Sequence, residues 1–108
     1  RLLMAMNNEH RDDAELWQNY QKTQDPQVRE DLILRYVPLV HFVLGRLGME
    51  VGPEYQDLIG QGLLGLIDAV DRFDPQRGTK FSTYAIWWIR QGVLKALDNH
   101  SRIVRIPS

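Results

Sequence analysis

With 108 residues, 44% hydrophobic and 25% charged, the chain can close one compact domain over a modest core and is too short for two. It has no cysteine, which removes disulfide frameworks, thiolate zinc sites and cysteine nucleophiles together, and it has no run near the roughly 18 apolar residues of a membrane span. The formal net charge of −1 hides an asymmetry: residues 1–75 hold seven Lys/Arg and thirteen Asp/Glu, net −6, whereas residues 76–108 hold six and one, net +5.

In chain order, Asp12 or Asp13 can cap a first helix to about Thr23, with Leu16, Trp17 and Tyr20 on one side. Asp25-Pro26 stops it and starts a second helix, because Pro suits a first helical position. That helix carries Val28, Leu32, Leu34, Val37, Leu39, Val40, Val43 and Leu47, and Pro38 is expected to kink it or split it in two. Gly48 and Gly52-Pro53 end it. A third helix from about Glu54 to Arg72 has Ile59, Leu63, Leu66 and Val70 at the spacing of a buried stripe. Asp74-Pro75-Gln76-Arg77-Gly78 is a turn by composition. A fourth helix starts near Ser82 as N-cap and runs to about Asn99, with an extended tail imposed by Pro107. Nothing alternates at period two over a useful length, so the expected fold is all-α, a compact bundle of four to five helices in one domain over residues 1–108.

The fourth helix carries the most information. On a 3.6-residue wheel Ile86, Ile89, Val93 and Leu97 form an aliphatic stripe, with Tyr84, Trp88, Gln91 and Lys95 opposite, Phe81 near that side and Trp87 on its flank. Aromatic rings interleaved with Lys80, Arg90, Gln91 and Lys95 suit single-stranded nucleic acid, since rings stack on unpaired bases and cations contact phosphates. The alternative is that the rings pack under the N-terminal helices. The basic C-terminal third is likewise either a nucleic-acid footprint or an ordinary fluctuation in surface charge. On the third helix Asp57, Gly60, Gln61 and Leu64 recur at i, i+3, i+4 and i+7 away from the buried stripe, extended by Asp68. That pattern fits either a helix-docking face or a solvated one.

The stretch FDPQRGTKFSTYAIWWIRQ, Phe73 to Gln91, followed by RIVRIPS, resembles conserved region 2 of the bacterial sigma factors. DLIGQGLLGLIDAVDRFDP looks like the adjoining polymerase-binding helix of that family, and LILRYVPLVHFVLGRLG like the helix before it. The resemblance covers about residues 14–108. It implies that the third helix docks on the β′ clamp helices of the RNA polymerase core through Asp57, Gly60, Gln61, Leu64 and Asp68. It also implies that the fourth helix recognises and melts the promoter −10 element by capturing bases of the non-template single strand. In the family the residue matching Tyr84 stacks on an adenine that leaves the duplex, and those matching Trp87 and Trp88 wedge against the duplex edge. The same resemblance puts Phe81 at the pocket, Lys80 and Arg77 at the DNA backbone, and Gln91 at the upstream base pair, with Lys95 on the same face. Arg102 and Arg105 either follow the DNA backbone or keep the tail solvated, and Arg90 either joins this surface or makes an internal salt bridge.

Some positions depart from the family pattern. Thr79 stands where housekeeping members commonly carry tyrosine, Gly60 and Leu63 replace usual polar residues, and Leu94 occupies a position often held by a hydroxyl residue. The segment LWQNYQKTQDPQVREDLILRYVPLV looks more like the flagellar and sporulation members. The resemblance therefore implies an alternative sigma factor of mixed character, acting in the cytoplasm at the nucleoid, and a fragment that in a full member continues beyond the Arg-Ile-Pro-Ser tail.

Other chemistries lack support. Gly60-Gln61-Gly62-Leu63-Leu64-Gly65 fits G-x-G-x-x-G, but neither the preceding strand nor the later acidic residue of a dinucleotide site is present. Those glycines fit close helix approach better. His10, His41 and His100 are far apart with no ligand set around them, so no metal or other cofactor is expected, and His41 is expected to be partly buried. Ser82 and Ser101 have no associated base, which leaves no candidate enzyme. The competing function is a regulatory interaction module whose apolar surface is bound by an anti-sigma factor and meets DNA little.

Overall fold

The computed structural model describes residues 14–49 and 52–105, with side chains to Asp98. Among these residues every regular element is helical: α1 over residues 14–23, α2 Pro26–Arg46, α3 Tyr55–Arg72, a short 3₁₀ turn Pro75–Arg77, and α4 Phe81–Arg105. None of these helices is long and apolar enough to cross a membrane. Backbone packing divides the chain into two units, Arg1–Arg35 and Tyr36–Ser108. The all-α expectation is borne out. The capping of the first helix by Asp12 or Asp13 lies outside the described residues.

In the first unit Trp17, Val28 and Leu32 are buried, while Leu34, expected in the apolar stripe, is exposed. The α1–α2 junction is built by local hydrogen bonds. Gln24 adopts a left-handed conformation (φ 53°) and its N–H reaches the Tyr20 carbonyl at 2.8 Å, a helix-ending arrangement. Asp25 then caps α2, its Oδ1 accepting the N–H of Gln27 at 2.9 Å, and Pro26 supplies the first helical residue without an orphan donor. Asp25→Ala is expected to lower the unfolding free energy by about 1 kcal/mol in a urea titration, because that N–H then loses its acceptor. An unchanged midpoint would show that the cap is dispensable.

Helix α2 is not split at Pro38. It is assigned as one helix from Pro26 to Arg46, with Pro38 exposed. It ends where Gly48 turns left-handed (φ 72°), with Met49 N–H on the Leu44 carbonyl and Gly48 N–H on that of Gly45. His41 is exposed rather than partly buried, and its Nδ1 lies 3.2 Å from the Tyr55 hydroxyl.

The core of the second unit takes Tyr36, Leu39, Val40, Val43 and Leu44 from α2, Leu58, Leu66, Ala69 and Val70 from α3, and Phe81, Ala85, Ile89, Val93 and Ala96 from α4. Helices α3 and α4 meet there along a glycine seam. A Cβ on Gly65 would sit 2.5 Å from the Trp88 carbonyl oxygen, and one on Gly92 would sit 2.7 Å from that of Gln61. A Cβ on Gly62 would meet Val40 at 2.8 Å. The two backbones therefore touch directly, as the glycine spacing suggests.

This seam turns both helices relative to the sequence expectation. The buried face of α3 is Leu58, Gly62, Gly65, Leu66, Ala69 and Val70, and Ile59 and Leu63 are only half-buried. On α4 the buried line is Phe81, Ala85, Ile89, Val93 and Ala96, about 60° around the helix from the predicted stripe. Small residues define where helices approach most closely, so the core follows Gly and Ala there rather than the largest aliphatics.

Candidate nucleic-acid interface

The loop before α4 fixes the entry of its aromatic residues. Asp74 Oδ1 accepts the N–H of Gln76 at 3.0 Å, Pro75 starts the 3₁₀ turn, and Gly78 closes it with φ 80°. The first helical residue is Phe81 rather than one following a Ser82 cap; Lys80 occupies the capping position, its carbonyl accepting from Tyr84 N–H. Helix α4 also runs on to Arg105, beyond the expected end at Asn99. Arg102 and Arg105 thus lie in its last turns, their side chains outside the described residues.

From this start a continuous run of rings leads from the core to the surface. Tyr36 and Phe81 have ring centroids 4.5 Å apart, Phe81 and Phe73 5.1 Å, and Phe73 and Tyr84 5.6 Å. Tyr84 lies 6.2 Å from Trp88, and Trp88 meets Trp87 edge-on at 5.2 Å. Exposure rises along the run: Phe81 is 0% exposed, Tyr84 and Trp88 are half-buried, and Trp87 is 57% exposed. The guanidinium carbon of Arg72 lies 5.0 Å from the Trp88 ring centroid, within cation–π range.

The expected site residues therefore fall into three groups. Tyr84, Trp87 and Trp88 form an aromatic ledge, flanked on α4 by exposed Gln91 and Lys95. Lys80 and Arg77 are exposed at its N-terminal approach; Arg77 Nε is 3.9 Å from Asp74 Oδ2, an exposed pair of small energetic weight. Phe81 is corrected: as a wholly buried ring it offers no surface to DNA in this structure, and it supports Phe73 from beneath. Trp87 and Trp88 exchange their predicted places, Trp87 standing opposite the core and Trp88 on the flank, because the glycine seam rotates the buried face. Arg90 is exposed and makes no internal salt bridge among the described residues.

Two contributors escaped the sequence reading. Phe73 was given no role beyond opening the Phe73–Gln91 stretch, yet it bridges Phe81 and Tyr84. Arg72 was taken as a helix end, yet it braces Trp88. Their signal was adjacency to the aromatic segment across a short turn, which brings the end of α3 beside the first turns of α4.

On the outer face of α3, Asp57, Gly60, Gln61, Leu64 and Asp68 are all exposed, with Leu64 at 56%, although the main chain of Gln61 borders the seam at Gly92. An exposed leucine between two carboxylates suits a covered helix face. At Gly60 no atom lies within 4 Å of an added Cβ, so this glycine is not required by the fold.

Comparison with known proteins is specific. The chain is 47% identical over 83 residues to the RNA polymerase sigma factor RpoS of Coxiella burnetii, covering 77% of this chain and 23% of that protein. It is 52% identical over 69 residues to RNA polymerase sigma factor SigA4 of Synechococcus elongatus, covering 57% and 22% respectively. RNA polymerase sigma-D factor of Bacillus subtilis matches at 38% over 96 residues, 87% of this chain and 38% of that factor. The chain thus spans well under half the length of these relatives. Residues 32–103, which include the glycine seam and the whole aromatic run, match the family model for Sigma-70 region 2. The chain belongs to the Sigma-70 region 2 family.

Proposed function

We propose that this chain is the part of a sigma factor that docks on the RNA polymerase core through α3 and captures unpaired bases of the promoter −10 element on α4. The observation that carries the reading is the ring run of graded exposure, ending in Tyr84, Trp88 and Trp87 beside Gln91 and Lys95. Rings held from beneath are preorganised, so a base that leaves the duplex meets a formed stacking surface. Stacking contributes roughly 1–3 kcal/mol per base, comparable with the few kcal/mol needed to unstack one. Melting then follows from selective binding to the open strand, with no bond made or broken. Lys80, Arg77 and Lys95 add phosphate contacts that weaken as salt rises. The work takes place in the cytoplasm, on nucleoid DNA.

The docking half rests on the exposed line Asp57, Gly60, Gln61, Leu64 and Asp68. Asp57→Arg is expected to weaken binding to the core polymerase about tenfold or more while leaving helical content unchanged. Unchanged binding would remove this face from the interface.

The deciding experiment is fluorescence anisotropy of a labelled single-stranded −10-type oligonucleotide titrated with this chain and core polymerase together. A scrambled oligonucleotide and each protein alone serve as controls. Sequence-selective binding only with both proteins is the expected result. Absence of selectivity in every combination would instead favour a regulatory module whose exposed Trp87 and Leu94 are covered by an anti-sigma factor.

A further inference from the structure

A second surface lies on α4 away from the aromatic ledge. Phe42, Val43 and Arg46 of α2, Leu47 just after it, and Ile86 and Arg90 of α4 enclose a trough of about 430 Å³. Val43 is buried and Phe42, Leu47 and Ile86 are half-buried, so the floor is apolar and partly open to solvent. The rims are cationic. Arg46 stands one turn after Phe42, and Arg90 one turn after Ile86, so each wall repeats an apolar residue followed by a cation at i+4. Both arginines are exposed, and neither makes an ion pair among the described residues.

We propose that this trough is a docking groove for a partner protein's acidic amphipathic helix, which lays its apolar side on Phe42, Leu47 and Ile86 and presents carboxylates to Arg46 and Arg90. Charge complementarity selects the occupant: planar guanidiniums that have no acidic partner among the described residues match carboxylates in a bidentate way. Shape excludes a small ligand, since such sites bury most of their ligand and this one has half-exposed walls. Single-stranded nucleic acid would want several accessible rings beside the cations, whereas Phe42 is the one aromatic among the lining residues, with Trp87 bordering Arg90 from outside the trough. An apolar floor with a charged rim is the arrangement that takes a helix in a groove. Ile86 and Arg90 lie around α4 from Tyr84 and Trp88, and although Arg90 follows Trp87 by three residues and so borders the ledge, the proposal uses none of the rings of the function proposed above.

The test uses a fluorescein-labelled peptide of about 15 residues, built from Leu at helical i, i+3, i+4, i+7 spacing with Glu between, and a counterpart with Lys for every Glu. Titration with the 108-residue chain is expected to show the Glu peptide binding at least tenfold more tightly than the Lys peptide, with an affinity that falls as salt rises. The double variant Arg46→Glu/Arg90→Glu is expected to reverse that preference. Because both positions are exposed, circular dichroism of the variant should match the parent, which separates loss of binding from loss of fold. Ile86→Glu is expected to abolish binding of both peptides. Equal binding of the two peptides by the parent chain, or a preference unchanged in the double variant, overturns the proposal. So does displacement of the Glu peptide by a single-stranded oligonucleotide that needs Arg46 and Arg90 for its own binding, which would assign the two cations to phosphate.

Discussion

Replacing Trp87 and Trp88 together by alanine is expected to remove promoter opening while core-polymerase binding persists. On the proposed reading two stacking rings contribute about 2–6 kcal/mol to the captured state, which corresponds to roughly thirtyfold to twenty-thousandfold in the population of the open complex. Binding to the polymerase should survive because the residues proposed for docking, Asp57, Gly60, Gln61, Leu64 and Asp68, lie on α3, and none of them is a ring partner of either tryptophan. Trp87 alone is the cleaner probe: it is 57% exposed, so its truncation costs the fold little. Truncating Trp88 also removes the surface braced by Arg72 and the edge contact with Tyr84. The measurement is a paired one, a permanganate footprint of unpaired thymines at the −10 element and a pull-down with core polymerase. Joint loss of both activities in the Trp87→Ala variant would place polymerase docking on α4 and defeat the assignment.

The second large effect concerns stability. Gly65→Ala is expected to lower the unfolding free energy by about 1–3 kcal/mol, and Gly60→Ala, five residues earlier in the same helix, to raise it by about 0.5–1 kcal/mol. Both changes gain the same helix propensity, so their difference isolates packing. The new methyl at Gly65 meets the Trp88 carbonyl at 2.5 Å and the Ile89 Cα at 3.0 Å, and backbone atoms cannot rotate aside as a side chain would. At Gly60 it meets nothing within 4 Å. For a chain of this length 1 kcal/mol shifts the melting temperature by about 4–8 °C, so parallel thermal melts resolve the pair. Equal stability of the two variants would mean that α3 and α4 do not touch along this line in solution.

The same glycines mark the border between what was legible in the sequence and what was not. Helix existence, the Asp25-Pro26 junction, the Gly48 stop and the turn from Asp74 to Gly78 were all readable, because each depends on local chemistry that Pro, Gly and Asp impose wherever they stand. The rotation of α3 and α4 was not, because a wheel ranks side chains by size, whereas the closest approach of two helices selects Gly and Ala. That one error placed Ile59 and Leu63 too deep and exchanged Trp87 with Trp88. Pro38 does not split α2, for a related reason: an exposed proline leaves its missing hydrogen bond on the solvent side, and the buried neighbours Tyr36, Leu39 and Val40 hold the helix through it. At the site the rings and cations were found from their spacing, but the deep burial of Phe81 and the bracing by Phe73 and Arg72 depend on contacts across a turn, which no periodicity records.

Where two helices meet through interposed leucines, a push on one is partly absorbed by rotamer changes before it reaches the other. Between Gly65 and Gly92 there is no such cushion, since main chain rests on main chain and a packed interior is nearly incompressible. A displacement of α3 at Leu64 or Asp68 thus has no layer of side chains to cross before it reaches the main chain at Trp88, the residue that carries one ring of the aromatic ledge.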